Sequence, residues 1–131
     1  EGGADAVSLI NTLVGLAVDV NSRQPKIYTI TGGYSGPAIK PVALAKVYEV
    51  ANNVNIPIIG IGGIMNGQDA LEYIITGACA IQVGTANFID PSVGEKMVME
   101  IKKYCEKHGF EKIDDLVGSL KTSQESVLQE N

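Results

Sequence analysis

Tryptophan is absent from this chain, histidine occurs once, and cysteine occurs twice in 131 residues. Two cysteines, Cys79 and Cys105, are too few for a disulfide framework or a cysteine-based zinc site, so a cytoplasmic setting is the default expectation. The lone histidine, His108, stands in Lys107-His108-Gly109, where a cation before a glycine is ordinary helix termination. Positive charge is also scarce. Ten Lys and Arg against fifteen Asp and Glu leave a net charge of −5, and no basic cluster offers a nucleic-acid surface. No apolar run approaches the roughly 18 residues of a membrane span. The first residues, Glu1-Gly2-Gly3-Ala4-Asp5, have no signal-peptide pattern. They also lack an initiating methionine and read as the tail of an earlier helix, so the chain is expected to be a piece of something longer.

What the chain has instead is apolar residues, at 45%, and only 19% charged residues. That suffices for one domain with a real core. The organising stretch is Ile56-Pro57-Ile58-Ile59-Gly60-Ile61-Gly62-Gly63. Its mostly β-branched run lacks polar alternation, as in a strand buried on both faces within a parallel sheet. Gly60, Gly62 and Gly63 are expected to end that strand and let a ligand lie close to bare N–H groups. Asn66 is placed to cap the next helix, with Asp69 at the third helical position. A glycine pair between a buried strand and a helix start suits an anion, usually phosphate, although an ordinary βα turn reads the same way.

In chain order, Ala4 to Ile10 reads as a strand that ends in the polar pair Asn11-Thr12. Thr12 to Gln24 is expected to be a long loop, and Lys26 to Thr31 a short strand or hairpin arm. Gly32-Gly33-Tyr34-Ser35-Gly36-Pro37 reads as too glycine-rich for regular structure. A helix is expected from about Pro41 to Asn53, with Val42, Leu44, Ala45, Val47, Tyr48 and Val50 available for its buried side. After the strand Pro57–Ile61 comes a helix over about Gly67–Thr76, which buries Ala70, Leu71, Tyr73 and Ile74 and stops at Gly77. A third strand, Ala80–Val83, ends in Gly84-Thr85-Ala86. Asp90-Pro91 is expected to open a helix that runs to about His108, and Ile113 to Leu120 a last short one. From Thr122 onward the sequence is polar, as in a frayed end.

A faint repeat relates Gly3-Ala4-Asp5-Ala6-Val7-Ser8-Leu9 to Gly77-Ala78-Cys79-Ala80-Ile81-Gln82-Val83. The resulting β-(loop)-α-β-α-β-α order predicts an α/β fold with a parallel sheet. Three such units do not close a barrel, which takes about 250 residues. In such folds ligands bind at the C-terminal strand ends. That end collects Asn11, Thr12, Gly62, Gly63, Gly84 and Thr85. Asn11 and Thr12 suit a planar ligand with amide and carboxylate edges, or a satisfied turn. Cys79 sits at the wrong end of its strand for catalysis, and Cys105 lies among charged helix neighbours. Lys40 follows the glycine-rich loop and could reach a phosphate, but reads better as a solvated lysine.

Ile10-Asn11-Thr12, the Gly32-to-Pro41 stretch, Ile58-Ile59-Gly60-Ile61-Gly62-Gly63 and Val83-Gly84-Thr85-Ala86 together resemble, in order and spacing, the C-terminal part of class 1 dihydroorotate dehydrogenases, over nearly the whole chain. The Asn-Thr pair, with Gly15 and Asp19 following, resembles the NAD-linked 1B subclass. The resemblance implies an α/β fold of (βα) units that form about strands six to eight of a TIM (β/α)8 barrel. Residues 1–121 would be the C-terminal part of an FMN-binding barrel, and 122–131 a polar tail. It implies FMN as cofactor, with Ile10 and Gly36 at the flavin and Gly62, Gly63, Gly84 and Thr85 at its phosphate end. Asn11 and Thr12 would bind dihydroorotate or orotate. No catalytic residue carries over. The base, a cysteine, and a flavin-contacting lysine precede this segment in the family and have no counterpart here. The implied partners are the rest of the barrel, a second catalytic subunit and an electron-transfer subunit with FAD and an iron–sulfur cluster. The alternatives left open are another phosphate-binding α/β barrel and a non-catalytic interaction module. By itself the segment is expected neither to turn over dihydroorotate nor to behave as a compact monomer.

Overall fold

The computed structural model describes residues 2–122; the rest of the expected polar tail lies outside the described residues. In chain order the elements are β1 (Val7–Leu9), β2 (Leu13–Leu16), β3 (Val18–Asp19), β4 (Gln24–Pro25), β5 (Thr31–Tyr34), α1 (Lys40–Ala51), β6 (Ile58–Ile61), α2 (Gly67–Thr76), β7 (Ala80–Gln82), α3 (Thr85–Ile89) and α4 (Val93–His108). Single 3-10 turns occupy Pro37–Ile39 and Ile113–Leu116.

β1, β6 and β7 make one parallel sheet in the order β1-β6-β7. Val7 pairs with Ile58 and Leu9 with Gly60, while Ile59 pairs with Ala80 and Ile61 with Gln82. Side chains alternate across a strand, which divides the sheet into two faces. Ile58 is buried against the helices, and Val7, Leu9 and Ile81 pack on the same core. Ser8, Ile59, Ile61, Ala80 and Gln82 take the opposite face. There the Ser8 hydroxyl donates across the sheet to Gln82 Oε1 at 3.1 Å. Ser8 and Gln82 are the equivalent polar positions of the sequence repeat, and the fold sets them on one face of the two edge strands, two residues apart in register.

The core joins Ala43 and Val47 of α1, Ile58, Ile64, Ala70 and Tyr73 of the β6–α2 unit, Ala78, Ala86, and Val93 and Met97 of α4. Burying one large apolar side chain contributes about 1.5–3 kcal/mol. A smaller cluster of Leu71, Ile74 and Leu116 lies between α2 and the last turn. α2 begins as expected: Asn66 Oδ1 accepts the Asp69 N–H at 2.9 Å. Glu100 of α4 adds a second acceptor, taking the Gly67 N–H at 2.6 Å, a carboxylate at the positive end of the helix dipole. Gly77 and Gly109 close α2 and α4 with φ of 131° and 74°, and His108 ends its helix with its ring centroid 4.4 Å from that of Tyr104. Among the described residues no helix is long and apolar enough to cross a membrane.

Several expectations give way here. The long loop over Thr12–Gln24 is instead two antiparallel ribbons, β2 with β5 and β3 with β4. The stretch Thr31–Tyr34 is the strand, while Lys26–Ile30 is turn and bend. Glycine is tolerated in that strand because side chains lie on it. A Cβ on Gly33 would sit 2.3 Å from Thr12 Oγ1, and one on Gly32 2.9 Å from Ile27 Cδ1. Gly60 lies inside β6 rather than ending it, because the Tyr73 ring occupies the space of a Cβ. α1 turns Ala43 and Val47 inward but leaves Val42 and Tyr48 each 43% exposed. α4 starts at Val93, since Asp90 caps its own turn through the Ser92 N–H at 3.0 Å. The unforeseen helix α3 fills the interval before it. The final helix shortens to Ile113–Leu116.

Candidate functional site

A cleft of about 270 Å³ opens at the C-terminal ends of the three parallel strands. Its wall comes from the segment after β1 (Ile10, Asn11, Thr12), the turn before α1 (Ser35, Gly36, Ile39), the turn after β6 (Ile61, Gly62, Gly63, Ile64), and the end of β7 with α3 (Gln82, Gly84, Thr85, Phe88). Parallel register is what brings them together, because each strand delivers its following turn to the same edge. All eight residues singled out from the sequence, Ile10, Asn11, Thr12, Gly36, Gly62, Gly63, Gly84 and Thr85, line this one cleft.

Each turn presents a different chemistry. Asn11 Oδ1 accepts the Thr12 N–H at 2.8 Å, which fixes the amide with its NH2 free to donate. The Thr12 side chain rests on Gly33, so the glycine of the ribbon sets the threonine's position. Gly62 and Gly63 have φ of 136° and 69°, conformations that side chains seldom take. Neither of their N–H groups has an acceptor among the described residues. Thr85 donates its hydroxyl to Ser35 Oγ at 3.0 Å, which closes the cleft between the α1 and α3 sides. A Cβ on Gly84 would meet nothing within 4 Å, so that turn faces open space.

The lining contains no ionisable side chain. Bare amides and hydroxyls without a carboxylate fit an anion such as a phosphate monoester, whose charge the backbone dipoles would meet. The same fact means the cleft holds no group to abstract a proton. Lys40 takes neither sequence reading, since it is neither solvated nor aimed at the cleft. Its Nζ pairs with Asp69 at 2.5 Å and Glu72 at 2.8 Å, and its side chain is 23% exposed. Burial would lower the ammonium pKa, but the Asp69 and Glu72 carboxylates outweigh it and raise it above the ordinary lysine value. Cys79 lies at the far end of β7, where its thiol donates to the Ile58 carbonyl at 3.4 Å. Cys105 packs on the Leu71 and Ile74 cluster.

Sequence reasoning missed Ser35, Gln82 and Phe88 as cleft residues. Gln82 carried a signal, a polar residue in an apolar strand that repeats at Ser8. Ser35 stood inside the glycine-rich stretch. Phe88 carried none, because an aromatic side chain 93% exposed follows no pattern of burial.

Comparison with known proteins places this geometry. The family described as Dihydroorotate dehydrogenase matches residues 1–105. The catalytic subunit of dihydroorotate dehydrogenase B (NAD(+)) from Citrifermentans bemidjiense is 54% identical over 120 residues, which cover 92% of this chain and 39% of that protein. The corresponding subunit of Phocaeicola vulgatus is 56% identical over 118 residues, covering 90% and 39%. The chain thus spans about 39% of the length of these relatives. Among solved structures, DHODH from Eimeria tenella in complex with ferulenol aligns with a TM-score of 0.74 at 28% identity, over 89% of this chain and 31% of that one. The three strands and their helices are accordingly part of an α/β barrel, the fold class expected from the sequence.

Proposed function

This chain belongs to the dihydroorotate dehydrogenase family, and on that premise we propose that it is the part of a flavin-dependent, NAD-linked dihydroorotate dehydrogenase that holds FMN and the pyrimidine. One observation carries the reading: three parallel strand ends and the turn before α1 bring Ile10, Asn11, Thr12, Gly36, Gly62, Gly63, Gly84 and Thr85 to one cleft with no ionisable lining. The Gly62 and Gly63 amides, with Gly84 and Thr85, hold the phosphate end of FMN. Ile10 and Gly36 flank its ring. Asn11, with its NH2 free, and Thr12 bind dihydroorotate or orotate. When bound, FMN supplies the acceptor for the hydride that leaves dihydroorotate.

The residues described here bind and orient. With no acid or base in the lining, proton abstraction falls to a residue elsewhere in the intact enzyme. At about 270 Å³ the cleft falls just short of the roughly 300–1,000 Å³ usual for small-molecule sites, in keeping with a site that the remaining barrel strands complete. β1 and β7 are the edge strands of the sheet, where those strands would add. The assembly we propose is a pair of catalytic subunits with an electron-transfer subunit that carries FAD and an iron–sulfur cluster and passes electrons to NAD.

Asn11→Ala in the intact protein tests the reading. Losing one amide hydrogen bond to a charged ligand should weaken orotate about tenfold or more, with FMN content unchanged. Titration calorimetry with orotate measures it. Unchanged orotate affinity would remove Asn11 from the substrate site.

A further inference from the structure

We propose that Tyr73 and the Lys40–Asp69 pair are positioning residues for the cofactor phosphate. They act from behind the cleft by fixing the direction in which the Gly62-Gly63 amides point. The inference rests on the reading of Gly62 and Gly63 as the phosphate end of the FMN site.

Tyr73 has no exposed surface, and its hydroxyl donates to the Gly62 carbonyl at 2.5 Å. A trans peptide is planar, so the carbonyl oxygen of Gly62 and the N–H of Gly63 point in opposite directions. By holding the carbonyl toward α2, Tyr73 turns the Gly63 N–H the other way, toward the cleft. Burial pushes the Tyr73 phenol up to about 12, so it stays a donor throughout the working pH range.

The other end of the turn is tied by Asp69. Its Oδ2 accepts the Met65 N–H at 2.9 Å and its Oδ1 accepts from Lys40 Nζ at 2.5 Å. Lys40 opens α1, and its own backbone presses on the turn: a Cβ on Gly63 would lie 2.9 Å from Lys40 N and 2.8 Å from the Gly36 carbonyl. The glycine turn is therefore held from behind by Tyr73, Asp69 and Lys40, none of which lines the cleft. Between Ile61 and Ile64 the two positive-φ glycines have no side chains of their own to hold one conformation.

The test is the preference of the apoprotein, in its intact form, for FMN over riboflavin, which differs only in lacking the phosphate. Flavin fluorescence quenching measures both affinities, and a thermal midpoint is recorded alongside. Tyr73→Phe keeps the buried ring and removes only the hydroxyl. It should weaken FMN about tenfold, the scale of one lost hydrogen bond to the turn, and leave riboflavin unchanged. Lys40→Met, at a half-buried position, cuts the second anchor and should give the same selective loss. Both variants leaving the preference unchanged, or weakening the two flavins equally, would overturn the positioning role. A wild-type protein that binds FMN no tighter than riboflavin would instead overturn the phosphate reading of Gly62 and Gly63 on which the inference stands.

Discussion

The corner where β6 meets α2 and the ribbon over residues 13–34 are held by different forces. In the corner, side chains fill space: Tyr73, Ala43 and Ala70 are fully buried, and Gly60 exists to admit the tyrosine ring. In the ribbon, Val14, Leu16, Val18, Val20, Ile27, Tyr28, Ile30 and Tyr34 are all exposed, Tyr28 completely. Backbone ladders hold it, and two-stranded ladders alone are marginal in water. It even carries Ile30 at φ 68°, a rare conformation for a β-branched residue. Apolar composition is thus a guide to the core only where elements stack. In the ribbon the same residue types form surface, of an extent unusual on an isolated domain.

The largest expected effect comes from truncating one tyrosine in each region. Tyr73→Ala removes a fully buried ring and should cost about 3–5 kcal/mol. Tyr28→Ala should change stability by no more than about 0.5 kcal/mol, as exposed substitutions do. Urea midpoints of the intact protein measure both. If Tyr28→Ala cost as much as a core truncation, the contrast would break, and the ribbon would count as a buried surface in the intact molecule.

Two glycines sharpen the comparison within the cleft. Gly63→Ala must adopt a left-handed conformation, at about 1–2 kcal/mol, and its methyl would press on the backbone of Gly36 and Lys40, which adds about 1–3 kcal/mol of overpacking. Gly84 has φ −105° and open space at its Cβ position, so Gly84→Ala should leave stability within about 0.5 kcal/mol. FMN uptake should fall in both, with loss of stability in the first alone. A Gly63→Ala variant as stable as the parent would contradict the packing described.

Legibility follows the same divide. Where strand and helix alternate, the sequence showed the parallel sheet, the Asn66 cap, the α2 stripe and the strand-end residues, because one buried face imposes one period. The ribbon was invisible for the opposite reason. Its glycines make room for Thr12, Ile27 and Tyr34, contacts that no periodic pattern encodes, and its apolar residues bury nothing that would give them a period. Lys40 was misread because its partners lie 29 and 32 residues on. Ser35 and Phe88 became cleft residues only through the meeting of distant turns.

The smallest expected effect concerns two carboxylates, one in the ribbon and one in the helical part of the chain. Asp19 in the ribbon accepts the N–H groups of Asn21 and Ser22, each at 2.9 Å, and these backbone bonds lower its pKa. Asp90, before α4, pairs with Lys96 Nζ at 2.5 Å and accepts from the Ser92 hydroxyl and N–H at 2.6 and 3.0 Å. The Lys96 bond first, and then Ser92, hold its carboxyl at about 2, against about 3.9 in an unfolded chain. A carboxyl depressed by folding contributes stability above its unfolded pKa and loses it as pH falls through the folded one. Asp90 therefore supports the start of α4 above about pH 4, and that support fades between about pH 4 and 2. Asp19, with hydrogen bonds but no cation, should protonate first as pH falls. Both groups face solvent, so salt should narrow the gap, and chiefly by raising Asp90, whose shift rests on a charge. Carboxyl-carbon NMR titrations of the intact protein at low and high ionic strength measure the order. Asp90 titrating above Asp19 at low salt would show that Lys96 does not hold it in solution.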